Sequence, residues 1–173
     1  MRLALPLGLA LFICAGFAIA ATPDGGEDRP RLVVLDVELT GDLGGPELVA
    51  QHDARMQMAS ALLRENISRT GLYRVVDPSA AQDLINQLGS QYRYLHDCNG
   101  CDLDIGRRLE ADQVLVAWVN RVSVLILTLT YEIHDVATGE ITASKTFGFR
   151  GDNDVAWTRA IEYLVRDQQE SGR

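Results

Sequence analysis

The chain has 173 residues and a formal net charge of −8, from 16 basic and 24 acidic side chains. With no basic stripe to neutralise phosphates, it is set apart from nucleic-acid binders, and it is equally unsuited to gripping an anionic membrane. Fifteen of the 16 basic residues are Arg, Lys145 is the only Lys, and no internal repeat or low-complexity tract occurs.

Residues 1–20 read as a cleavable secretory signal peptide. Arg2 supplies the positive start, residues 3–21 carry no charge, and Ala18-Ile19-Ala20 is a small-x-small site that places cleavage between Ala20 and Ala21. The alternative is an uncleaved segment that tethers the chain to the membrane. Against it, Pro6, Gly8 and Gly16 interrupt the apolar run and no basic stop-transfer cluster follows. Cys14 does not sit in a lipobox, because Ile13 stands where a small residue is required. Residues 21–30 form a flexible acidic leader, 31–167 a single domain long enough to bury a core, and 168–173 a polar tail. The expected address is the periplasm, with no stable membrane insertion after the signal is removed.

The run Arg31-Leu32-Val33-Val34-Leu35-Asp36-Val37-Glu38-Leu39 predicts a strand buried on both faces. Gly41, Gly44 and Gly45 end it, and Pro46 suits the first turn of a helix over 47–70. Met56, Ala59, Leu63 and Ile67 form the stripe of that helix and Gly71 closes it. A short strand over 72–77 follows, then a helix from Pro78 whose stripe is Ala81, Leu84, Ile85 and Leu88. Residues 89–100 form a polar loop, and Cys101 opens a short helix with Ile105 and Leu109.

From residue 113 the hydrophobic period becomes two, giving strands over 113–121, 123–136 and 140–150. Leu125, Leu127, Leu129, Tyr131 and Ile133 share one face of the second, and Ile141, Ala143, Phe147 and Phe149 alternate inward on the third. Val122-Ser123 lacks Gly and reads as a bulge or tight turn, whereas Ala137-Thr138-Gly139 is a hairpin turn with Gly at the left-handed position. An amphipathic helix over 154–166 carries Trp157, Ile161, Leu164 and Val165, with Asp152 or Asn153 as its cap. The order β-α-β-α-α-β-β-β-α describes an α/β (α+β-like) fold. It predicts a mixed sheet with a C-terminal three-strand antiparallel meander and helices packed against it.

Cys98-Asn99-Gly100-Cys101 is the sharpest chemical feature. In an oxidising compartment such close cysteines pair, and a structural disulfide would tie the loop to the helix that follows. A thiol–disulfide redox pair is the alternative, but Asp97, Asp102 and Asp104 surround it and disfavour a thiolate. A zinc site would have to combine both thiolates with His96 and Asp97 or Asp102, without the two separated ligand pairs of a closed site. Asp102 stands where covalent haem attachment needs His. His134 reads as a solvated or hydrogen-bonded strand residue. No Gly-x-Ser-x-Gly elbow occurs, and Thr40-Gly41-Asp42-Leu43-Gly44-Gly45 carries an acid in place of the Lys of a phosphate loop. No catalytic, cofactor-binding or metal-binding residue is assigned.

Four segments carry a resemblance when taken in order: Leu32-Val33-Val34-Leu35-Asp36-Val37, Gly71-Leu72-Tyr73-Arg74-Val75-Val76-Asp77, Leu109-Glu110-Ala111-Asp112-Gln113-Val114-Leu115 and Asp135-Val136-Ala137-Thr138-Gly139-Glu140. The chain resembles a group of bacterial envelope domains: the amino-terminal domain of TolB, the curli-export lipoprotein CsgG and the lipoprotein activators of peptidoglycan synthases. It is most similar to an uncharacterised, exported single-domain branch of that group. The resemblance covers nearly all of residues 31–166 and implies a non-catalytic periplasmic module that binds another envelope protein. The candidate contact residues are Tyr92, Tyr94, His96 and Asp97 of the polar loop, or an open sheet edge. The chain departs from the curli-export proteins in lacking a lipobox and membrane-inserting hairpins, and from TolB in lacking a propeller. A thiol–disulfide accessory using Cys98 and Cys101 is the alternative function.

Overall fold

The computed structural model describes residues 28–171. The signal peptide, the Ala20–Ala21 cleavage point, Cys14, the leader as far as residue 27 and the last two residues lie outside them.

β1 (Arg31–Val34) is buried on both faces, as an unbroken apolar run requires. It pairs in parallel with β3 (Arg74–Val76) on one side and with β4 (Gln113–Arg121) on the other. The opening run is two strands rather than one. It breaks after Val34 and resumes as β2 (Glu38–Gly41), again parallel to β4. Val34 lies opposite Leu115 and Glu38 opposite Trp118, so the run carries one residue more than β4 across the gap. That extra residue makes a bulge, with Asp36 turned to solvent. The Val37 N–H, released from the ladder, donates to Ser60 Oγ (2.9 Å) on α1 (Val49–Thr70).

A 3-10 turn over Pro46–Leu48 leads into α1, which ends at Gly71 with φ +70°, a left-handed cap that glycine adopts without strain. α2 (Gln82–Gln91) follows a turn capped by Asp77, whose carboxylate accepts the Ser79 N–H at 2.9 Å. α2 runs past Gly89, and α3 (Cys101–Arg108) begins at the second cysteine of the loop. β5 (Ile126–Asp135) and β6 (Ile141–Arg150) complete an antiparallel meander with β4, turning at Gly139 with φ +74°. The sheet order is β3-β1-β4-β5-β6, with β2 beside β4. The expected α/β order therefore stands, its first strand divided.

Each face of the sheet has its own core. On one, Leu63 and Ile67 of α1 and Trp157, Ile161 and Leu164 of α4 (Asp154–Ser171) cover Leu115, Leu127, Leu129, Tyr131 and Ile133. Fully burying one such side chain contributes about 1.5–3 kcal/mol. On the other, Leu88 of α2 and Ile105 of α3 cover Val33, Leu35, Val114, Val116 and Val136. α3 approaches so closely that a Cβ on Gly106 would lie 2.6 Å from both Val114 and Val136. This second layer covers β1 and β4, and residues such as Thr146 and Ser144 on the same side of β6 are exposed.

Three further details differ from the sequence expectation. β5 begins at Ile126, after a tight turn in which the Val122 and Ser123 N–H groups donate to Ile126 O, so Leu125 is 67% exposed rather than inward-facing. A register shift at Ile133/His134 sets His134 opposite Ile141, which leaves Ile141 exposed. α4 continues to Ser171, beyond residue 166, because Gln168 is buried and its amide donates to the Tyr131 hydroxyl at 2.6 Å.

Candidate functional site

The loop after α2 is held at a defined place on the sheet. Glu38 of β2 accepts the Leu95 N–H at 2.7 Å and the His96 N–H at 3.1 Å, and its Oε2 lies 2.5 Å from His96 Nδ1. The His96 ring stacks on Trp118 of β4, centroids 4.3 Å apart and 8° from parallel. Tyr94 leans on His96 at 5.4 Å, and the Arg93 guanidinium sits 5.2 Å above the Tyr94 ring. Of the four expected contact residues, Tyr94 and His96 are brought together, while Tyr92 and Asp97 are exposed. Beside the loop an open groove of about 420 Å³ runs along β2, lined by Val37, Leu39, Asp53, Met56, Arg93 and Tyr94.

Cys98 and Cys101 are joined, their Cα atoms 5.5 Å apart, within the span a disulfide bridges. The pair fastens the loop to the first turn of α3. Both cysteines are buried, at 7% and 3% exposure, which leaves an attacking thiolate little surface. The other groups of the zinc alternative are engaged as well. His96 faces Glu38, and buried Asp102 meets His134 Nδ1 at 2.5 Å. His134 Nε2 lies 3.1 Å from Glu132, so both ring nitrogens face carboxylates. Among the described residues no three His, Cys, Asp or Glu side chains converge as a metal site, and no helix is long and apolar enough to cross a membrane.

The densest polar cluster is one that the sequence does not announce. Asp152, 6% exposed, accepts from Arg55 at 2.6 Å, from Arg121 at 2.7 Å and from Trp157 Nε1 at 3.1 Å, with His52 Nε2 at 3.3 Å. Both arginine side chains are 3% exposed. Burial alone would raise the Asp152 carboxyl, but the hydrogen bond from Arg121 and the charge of Arg55, with Trp157 and His52, outweigh it and hold the group below its ordinary value. Asp152 thus ties α1, β4 and α4 at one point, and Asn153, not Asp152, caps α4 by accepting the Ala156 N–H at 3.0 Å. The signal was phase. His52 lies three residues before Arg55, and Arg55 is followed at steps of four by Ala59, Leu63 and Ile67, while Arg121 continues the inward series Leu115, Ala117, Val119. Glu38 and Trp118 carried no comparable signal.

This arrangement defines a mixed-sheet α/β domain with an anchored, disulfide-tied loop. The chain belongs to the family DUF3280, described as "Protein of unknown function (DUF2380)", whose model matches residues 30–169. No curated protein matches the sequence. Among solved structures it is similar to lipoprotein GNA1162 from Neisseria meningitidis, at 15% identity, with 82% of this chain and 98% of that one covered and a TM-score of 0.52. It is also similar to the LpoB C-terminal domain from Salmonella enterica, at 20% identity over 69% of this chain and 81% of that one, TM-score 0.45. TolB from Acinetobacter baumannii matches at 9% identity over 83% of this chain and 29% of TolB, TM-score 0.46. The likeness to GNA1162 is one of fold.

Proposed function

We propose that the chain, exported and cleaved after Ala20, is a non-catalytic accessory module of the periplasm that binds another envelope protein through the 92–97 loop and its groove. The observation that carries this reading is the anchoring of the loop. One carboxylate, one aromatic stack and one disulfide hold it in a single conformation, so little ordering entropy is spent when a partner docks. Tyr94 and Arg93, the residue types favoured at contact hot spots, line the groove. The shared fold with a neisserial lipoprotein is in keeping with an envelope address. The redox alternative finds no support in a buried disulfide among carboxylates.

The test is native co-purification from the envelope after mild cross-linking, comparing wild type with Tyr94→Ala and Arg93→Glu. A protein recovered reproducibly by wild type and lost in both variants is expected. Equal recovery by the variants removes the loop from the reading, and no reproducible recovery by wild type overturns the interaction function.

A further inference from the structure

We infer that the free edge of β6 is a docking site for an extended, acidic segment of a partner protein that adds to the sheet as a further strand. The inference rests on the interaction reading above and names a second contact surface and the chemistry of what it takes.

β6 closes the sheet order, and among the described residues no strand pairs with its outer side. It is ten residues long, with no proline and no carboxylate. The Gly151 N–H donates to Leu125 O at 3.2 Å. Counting back from that bond, the alternation of an antiparallel ladder turns residues 143, 145, 147 and 149 toward β5. The same alternation points the backbone N–H and C=O of Ser144, Thr146 and Gly148 off the sheet. Proteins blunt such edges with bulges, prolines, short strands or charged side chains, and the one charge in the middle of β6, Lys145, is drawn onto Asp167 of α4. The one irregularity here lies at the hairpin end, by Ile133/His134, and residues 143–150 stay in regular register.

The edge opens onto a groove of about 500 Å³ between β6 and α4, where Phe147, Phe149 and Tyr163 are lining residues. Apolar side chains at every second position of an added strand would fill it. Arg150 and Arg159 also line this groove, both exposed and neither in an ion pair among the described residues. They are unneutralised cations on a chain of net charge −8. Lys145, by contrast, is taken by Asp167. A second copy of β6 has no carboxylate to offer these arginines, whereas an acidic strand does. The occupant that fits is therefore an extended segment alternating apolar residues with Asp or Glu.

The probe is a displayed library of random ten-residue peptides, selected against the exported chain. The expected peptides alternate apolar and acidic residues. Reversing both charges (Arg150→Glu with Arg159→Glu) weakens a selected peptide by about tenfold or more. Thr146→Pro, which removes an outward N–H, abolishes binding. Bound peptide slows amide exchange at Ser144, Thr146 and Gly148. If Thr146→Pro does not fold, the exposed double charge reversal still decides. Peptides without acids, indifference to charge reversal, or protection confined to the 92–97 loop overturn the inference. So does a dimer that Thr146→Pro disperses. In envelope co-purification, a partner recovered equally by wild type and the double charge reversal sinks the edge alone. A wild type that recovers nothing sinks the interaction reading itself.

Discussion

Replacing Asp152 by Asn keeps its shape and removes the single negative charge on which two buried guanidiniums converge. Arg55 and Arg121 donate to Asp152 at 2.6 and 2.7 Å. After the substitution, Arg55 retains Asp154 at 3.0 Å and Arg121 the Asp42 carbonyl, so neither is stranded. Breaking a buried ion pair costs about 3–5 kcal/mol, and the surviving acceptors place the expected loss near the lower end, about 3 kcal/mol. For a domain of this size that lowers Tm by roughly 10 °C. The pH dependence has a definite sign. The folded pKa of Asp152 lies below its unfolded value of roughly 4, so its contribution is present above that pH and lost as the pH falls through the folded value. Urea unfolding of wild type and Asp152→Asn at neutral pH, repeated in steps down to pH 2.5 or so, reads both effects. The gap between the two proteins is wide at neutral pH and narrows in acid. A loss under about 1 kcal/mol at neutral pH, or a gap that does not narrow, refutes the account of Asp152 as a buried charge hub.

Three further outcomes are expected. Replacing Cys98 and Cys101 together by Ser costs about 2 kcal/mol by the chain-entropy estimate, measured as a Tm difference that vanishes when wild type is reduced. Gly106→Ala destabilises by about 1–3 kcal/mol in denaturant titration, because its new methyl meets two valines at 2.6 Å. Burial, and then the hydrogen bond to Asp167, push the Tyr131 hydroxyl up to about 12. In an ultraviolet phenolate titration it is therefore among the last tyrosines to ionise, and its share of stability persists below roughly pH 10 and goes as the pH rises through the folded value.

The elements that packing alone decides were readable from hydropathy. β4 falls on residues 113–121 because its apolar side chains face two cores, and α1 ends at Gly71 because only a left-handed cap fits there. The break after Val34 was hidden, since Val34-Leu35-Asp36-Val37 reads as one apolar run and the bulge exists only relative to the register of β4. Leu125 continued the period of two yet landed on a turn, because the Gly-free Val122-Ser123 step consumes residues that periodicity assigns to the strand. The site was legible in half. Tyr94 and His96 stood out as aromatic and titratable groups in a polar loop, but their anchors Glu38 and Trp118 lie far away in sequence and only the closed sheet joins them. Arg55 and Arg121 sat in core phase, where hydropathy assigns no role to a charge whose partner, Asp152, is 97 and 31 positions away.

The unequal covering of the sheet connects these features. One face is covered by α1 and α4, and the other is covered by α2 and α3 over β1 and β4, with Trp118 packed at the margin of that core. Left bare, the Trp118 ring would be a large apolar surface facing water. His96 covers it by stacking, and Glu38 holds His96 in place, so the same contacts that shield the core also fix the loop. On the reading proposed above, His96 holds the loop while Tyr92, Arg93, Tyr94 and Asp97 around the stack are the side chains left to meet a partner. That reading also makes a concrete demand on Glu38→Gln: the stack should loosen and amide exchange at Leu95 and His96 should quicken. If exchange at those two amides were unchanged, the carboxylate would not be the clamp that positions the loop.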